Sequence, residues 1–361
     1  MLHAAECLVN IDEAPRAVSL LESLPTDEAK LQFEAGVLFS RTTEYAASKR
    51  HFEEAQHNPS FYDLAGYNRV LILIKERLYE EAVTAAGSMI SGGHETGELD
   101  ALLSEAYRAA GRMEDAYNAL RRATHLNPEG DSYYAELADI CRELNKYDLG
   151  FKIAEIGLHH VPKSSKIHTQ RGLLQMAVGH TNESIADLKM AASLAPHDTL
   201  PSLALSVLWM QTGQNNQAIS LLRRETSSHP NDFAAWYLLA KALIRSGGSR
   251  RETVQESISA LKQSIQLNDD YAPSRVALGK MLLDAGQIQA AIKELESSIK
   301  INPNNQSGLY QLTLAYRRTG NFERAKELGA RVREMNAAEL EKASLDPSLF
   351  HSVQQLMVKQ N

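Results

Sequence analysis

Apolar residues in this chain form short helical stripes, and the stripes themselves recur. In 272–284 the apolar positions are Val276, Leu278, Met281, Leu282 and Leu283. After Gly286 come Ile288, Ala291, Ile292, Leu295 and Ile299, at spacings of three and four. Such spacings put one apolar face on a helix. They predict two helices, over 272–284 and 287–301. Gly286 suits the left-handed cap that ends the first helix. Asn302-Pro303 stops the second, because proline disfavours helix in the residue before it.

The same punctuation returns every 34 residues. Pro128, Pro162, Pro196 and Pro230 stand 34 apart, and Pro303 rejoins the series after one interruption. Gly111, Gly179, Gly213, Gly286 and Gly320 mark a second phase, 17 residues ahead of the proline phase. A fixed period of this size predicts an all-α stack of helix pairs, not a domain built around one pocket. With Pro128 as position 32, nine repeats run 29–62, 63–96, 97–130, 131–164, 165–198, 199–232, 233–271, 272–305 and 306–339. Residues 1–28 form a partial repeat with Leu8, Ala17 and Leu21 in phase. The seventh repeat carries five extra residues around Ser246–Arg251, which are expected to lengthen a turn. Small residues are phased too. Position 8 holds Gly36, Ser104, Ala138, Gly172, Ser206, Ala240 and Gly279; position 20 holds Ser48, Ala82, Ala116, Gly150, Ser184, Ala218, Ser257, Ala291 and Ala325. Small side chains at both places are expected to let the paired helices approach closely.

These phases resemble the tetratricopeptide repeat. Trp236, Leu239 and Ala240 match that family's opening triplet, and Leu278-Gly279 its centre. Tyr107 and Tyr316 match its tyrosine, while Phe52, Leu120, Leu188, Leu222 and Leu295 match the bulky residue of its second helix. The second repeat departs most, with Arg69 and Val70 at positions 7 and 8 and His94 in place of proline. The resemblance implies a right-handed α-solenoid superhelix of about nine helix pairs, with first-helix positions 2, 5, 9 and 12 lining an inner groove. The candidate partner-binding residues there are Phe33, Tyr67, Leu71, Arg108, Arg142, Leu173, Met176, Leu203, Val207, Met210, Tyr237, Lys241, Lys280, Tyr310 and Arg317. The middle of this set is aliphatic and Met-rich, which suits an adaptable apolar contact. Mixed Glu, Asp and Arg flank it on one side, Lys and Arg on the other. The implied ligand is an extended or helical peptide with apolar anchors and acidic residues toward Lys241, Lys280 and Arg317. Packing between neighbouring first helices, and self-association through the groove or the C-terminal helix, stay open beside it. Neither the carboxylate clamp of chaperone-tail binders nor the asparagine ladder of a glycosyltransferase superhelix is present: position 9 never holds Asn, and Asn68 is the only Asn at position 6.

Composition narrows the picture without changing it. The chain has 361 residues, 43% of them hydrophobic and 23% charged, with a formal net charge of −7. An acidic balance argues against nucleic acid as partner, since that needs a basic face. No apolar run is long enough to span a bilayer. Cys7 and Cys141 stand 134 residues apart, close to four periods, and both are read as buried small hydrophobes rather than a disulfide. No phosphate loop, dinucleotide fingerprint or zinc spacing occurs. His125, His159 and His160 read as solvated helix-end residues, not metal ligands. The expectation is therefore a non-catalytic protein-binding scaffold with no metal and no cofactor. The alternative is the recognition arm of a larger enzyme or assembly, because the chain starts inside a helix with no cap before it. A cytoplasmic location fits the chain as given, with a leader missing if Met1 is an internal start. Residues 340–361 break the period and read as a capping helix, with Asp346-Pro347 as its start. Glu225 stands where Ala123, Ala191 and Ser264 sit in other repeats. Burying it unpaired would be costly, so it is expected to reach solvent or to pair across the interface.

Overall fold

A computed structural model describes residues 2–10, 13–22, 28–247 and 251–343. Among these residues there are twenty helices and no strand. Two units divide the chain, Met1–Leu174 and Gln175–Asn361. The N-terminal unit pairs α1 (Leu2–Asn10) with α2 (Ala14–Glu22), α3 (Ala29–Arg41) with α4 (Tyr45–Gln56), and α5 (Tyr62–Lys75) with α6 (Tyr79–Ser91). It continues with α7 (Gly97–Ala109) and α8 (Met113–Leu126), then α9 (Asp131–Glu143) and α10 (Tyr147–His160). Helix α11 (Ser165–Ala177) runs across the boundary. The C-terminal unit holds α12 (Thr181–Leu194), then α13 (Leu200–Gln211) with α14 (Asn215–Ser228) and α15 (Phe233–Arg245) with α16 (Arg251–Leu267). It ends with α17 (Ala272–Asp284) and α18 (Ile288–Ile301), then α19 (Gln306–Arg318) and α20 (Phe322–Ala343). The all-α repeat expected from the period is the architecture found.

Each pair from α3 onward turns through one left-handed residue at the same phase. Gly286 takes φ 74°, and Gln287 N–H donates to Leu282 O at 2.8 Å, closing the helix end. Gly111, Gly179, Gly213, Gly247 and Gly320 do the same job with φ between 71° and 82°. Three repeats make the turn without glycine. Thr43, Arg77 and Asn145 have φ of 62°, 63° and 56°. Their turns close by the same bond, for example Leu78 N–H to Leu73 O at 2.9 Å. A left-handed L-residue costs about 1–2 kcal/mol, so packing of the two helices over-determines the turn. Between pairs, Asn127, Asn268 and Asn302 each accept a hydrogen bond from the amide two residues on, at 3.1–3.2 Å. This side-chain turn shapes the connection, together with proline at Asn127-Pro128 and Asn302-Pro303 and without it at Asn268.

The phased small residues are where the helices touch. A Cβ at Gly36 would lie 2.8 Å from the Phe52 ring, and one at Gly279 would lie 2.6 Å from Leu295 Cγ. Ser48 Oγ reaches across the pair to Gly36 O at 2.8 Å. In the N-terminal unit Phe39, Leu99, Leu120, Ile140 and Ile167 are fully buried; in the C-terminal unit Leu222, Leu238, Leu261 and Leu295 are.

Two readings of single residues change. Cys141 is buried but Cys7 is exposed. Among the described residues helix α1 buries Ala5 and packs chiefly on α2 and α3, with Cys7 on its open side. Glu225 is 7% exposed and does not reach bulk solvent. The capping helix expected from Asp346 and the Arg250 side of the insertion lie outside the described residues.

Candidate partner-binding faces

First-helix side chains at the groove phases behave differently in the two units. In the N-terminal unit Phe33 packs between Phe52 and Phe61, with ring centroids 5.6 and 5.8 Å away. Tyr67 and Leu71 are half-buried against a core shared by the second and third repeats. Arg108 of α7 reaches Asp139 of α9 at 2.6 Å and also pairs with Glu143, while Arg142 pairs with Asp139. Both arginines are therefore engaged inside the face. Glu136 lies beside this network with no ion pair of its own among the described residues. Burial pushes its carboxyl up to about 7, against the pull of Arg108 and with a further push from Glu105. Burial also raises the Glu105 carboxyl. Position 6, which holds Glu136, is not one of the groove phases; its acidic side chain in a first helix was the signal available for it. Leu173 is buried, at 3% exposure, and Met176 is half-buried.

In the C-terminal unit the apolar part of the set is mostly core. Leu203, Met210 and Tyr237 are buried in one cluster with Leu238 and Leu239, and Val207 packs against it. The same phases pack against the neighbouring first helix, which leaves little of them for a ligand. The basic and aromatic part is different. Lys241, Lys280 and Arg317 are exposed on α15, α17 and α19, and Tyr310 is 52% exposed. None of the three cations makes an ion pair among the described residues. Lys241 Nζ stands 5.5 Å from the centre of the Tyr237 ring. Partial burial of its stem and then the nearby Arg245 charge hold this ammonium below the usual lysine range. Burial lifts the Tyr237 hydroxyl to about 12, so the ring under Lys241 stays neutral.

Two cavities lie on the other side of the first helices, each where a charged residue interrupts an apolar phase. One, of about 430 Å³, is bounded by α4, α5 and α6 and is lined by Arg69. Arg69 reaches Glu53 at 2.8 Å, in the place where most repeats hold an aliphatic side chain and the fifth holds Arg171. The other, of about 570 Å³, lies among α12, α13 and α14 and is lined by Glu225. No group of three or more His, Cys, Asp or Glu among the described residues is placed to hold a metal ion. No helix among them is long and apolar enough to cross a membrane.

Comparison with known proteins agrees with this geometry. Tetratricopeptide repeat profiles match residues 175–242 and 282–343, and a second such profile matches 102–155. Together these segments cover about half of the chain. A TPR repeat-containing thioredoxin, TDX, from Arabidopsis thaliana is 30% identical over 84 residues. That match covers 23% of this chain and only 22% of the relative's length. Among solved structures, the Cut9–Hcn1 complex of the APC/C has a chain that superposes with a TM-score of 0.53 at 16% identity, over 84% of this chain and 59% of that one. The type IV pilus biogenesis factor PilW gives 0.51 at 18% identity, over 60% of this chain and 98% of that one. At these identities the likeness is one of fold. Tetratricopeptide repeat proteins are protein-interaction scaffolds, generally without catalysis of their own. Phased turns, close-packed pairs and profile matches converge: this chain belongs to the tetratricopeptide repeat family.

Proposed function

We propose that the chain is a non-catalytic scaffold that binds an acidic protein segment across the first-helix face of its C-terminal unit. The observation that carries this reading is the set of exposed cations Lys241, Lys280 and Arg317 on α15, α17 and α19, with no ion pair among the described residues, beside exposed Tyr310. An extended or helical segment would place carboxylates on these cations and an apolar or aromatic side chain on Tyr310. Arg108 and Arg142, the groove-phase arginines of the N-terminal unit, do not compete for such a segment, because Asp139 and Glu143 already hold them. Solvent-exposed pairs are each worth only about 0–1 kcal/mol, so affinity would rest on several together and would fall with salt.

A peptide array of fixed length and varied charge tests this. Wild type is expected to retain acidic peptides, and Lys280→Glu with Arg317→Glu to lose most of that signal while keeping its helical circular dichroism. Equal retention of acidic peptides by the folded double variant would remove this face from consideration.

A further inference from the structure

The α12–α14 cavity holds a charge that the fold leaves poorly matched. Glu225 lines it, and the residue is 7% exposed. Its side chain has one described partner, His229 Nδ1 at 3.3 Å, which carries charge only when protonated. That nitrogen is itself buried without a well-formed hydrogen bond. A buried carboxylate without full hydrogen bonding is costly, and uncharged residues such as Ala123, Ala191, Ser264 and Ser298 fill this phase in other repeats. The cavity, at about 570 Å³, falls within the roughly 300–1,000 Å³ of small-ligand sites. Its walls include Leu221 and the Trp209 ring. A cation already approaches that ring: Lys189 Nζ lies 5.7 Å from its centre.

We propose that this cavity is a binding site for an arginine side chain of a protein partner, with acidic residues beside that arginine. A guanidinium stacks flat on an indole and presents a fork of donors to a carboxylate, which a point-like ammonium does not. Glu225 supplies the buried acceptor and Trp209 the stacking face. Lys189 and Arg224 are exposed at the rim. Their charge repels a bare basic peptide and attracts one whose arginine is flanked by carboxylates. Lys189, on its flexible stem, leaves the ring and pairs with a flanking carboxylate when the guanidinium enters. The site lies on the opposite side of α13 from the groove phases and shares no residue with Lys241, Lys280 or Arg317, so it stands or falls separately from the acidic-segment face.

The test uses the full chain and blocked tripeptides, Glu-Arg-Glu and Glu-norleucine-Glu, followed by the indole N–H resonance of Trp209. That resonance is assigned by Trp209→Phe. The arginine peptide should move the Trp209 signal saturably, and the norleucine peptide should bind at least about tenfold more weakly. Glu225→Gln should weaken the arginine peptide by a similar factor. The norleucine comparison needs no variant, so it decides the matter even if Glu225→Gln folds poorly. A Trp209 signal unmoved by the arginine peptide up to about 5 mM, or moved equally by both peptides, overturns the proposal.

Discussion

Neutralising Glu136 should stabilise the protein, and only above mildly acidic pH. Its carboxyl sits half-buried on α9 without an ion pair among the described residues, and burial raises it from 4.5 to about 7. The folded pKa lies above the unfolded one, so the fold favours the protonated acid. The stability this confers is complete below about 4.5 and is lost as pH rises through about 7. At about 1.36 kcal/mol per unit, the full shift sets a ceiling of about 3 kcal/mol. Water reaching the half-buried group lowers this to about 1–2 kcal/mol. Glu136→Gln removes the titration while keeping the shape. Urea unfolding of both proteins should give coincident midpoints near pH 4 and a higher midpoint for the variant near pH 8. An offset independent of pH, or a wild type that is the more stable near pH 8, would refute the reasoning. The same carboxylate is the reason the N-terminal face should not favour acidic ligands.

The turn and packing phases make further claims. Arg77→Gly should raise stability by about 1 kcal/mol, because it relieves a left-handed arginine at φ 63° whose side chain is exposed. Gly213→Ala, at φ 80°, should lower it by about 1–2 kcal/mol; thermal unfolding of the two variants side by side checks the sign of each. Gly279→Ala places a Cβ 2.6 Å from Leu295 Cγ and should cost about 1–3 kcal/mol by forcing α17 and α18 apart, read as a lower denaturation midpoint.

What could be read from the chain, and what could not, follows from the reach of each signal. The helix pairs were legible because their signals are local: an apolar stripe at spacings of three and four, a glycine and a proline. Gly36, Gly279 and Ser48 were legible as close-packing positions because the phase repeats. Thr43 and Arg77 carry the same left-handed turn as the glycines and as Asn145, a residue that tolerates it, yet their side chains do not announce it. There the neighbouring helices impose the conformation. The groove phases had two meanings that pattern alone does not separate. Leu203 and Met210 became core, while Lys280 and Arg317 remained exposed, since a charged tip stays in water whereas an aliphatic side chain finds a neighbour. Glu225 was conspicuous as a charged residue at an apolar phase. Its burial depended on α12 and α13 closing over it, which no spacing along α14 encodes.

Lysine footprinting tests the central claim most directly. The full chain is reductively methylated with and without an acidic peptide retained by the array, and labelling is read residue by residue. The account predicts protection of Lys241 and Lys280 on the first-helix face, with Lys293 and Lys300 of α18, both exposed, labelled as before. Unchanged labelling of Lys241 and Lys280 by a peptide that binds, or protection confined to Lys293 and Lys300, would contradict it.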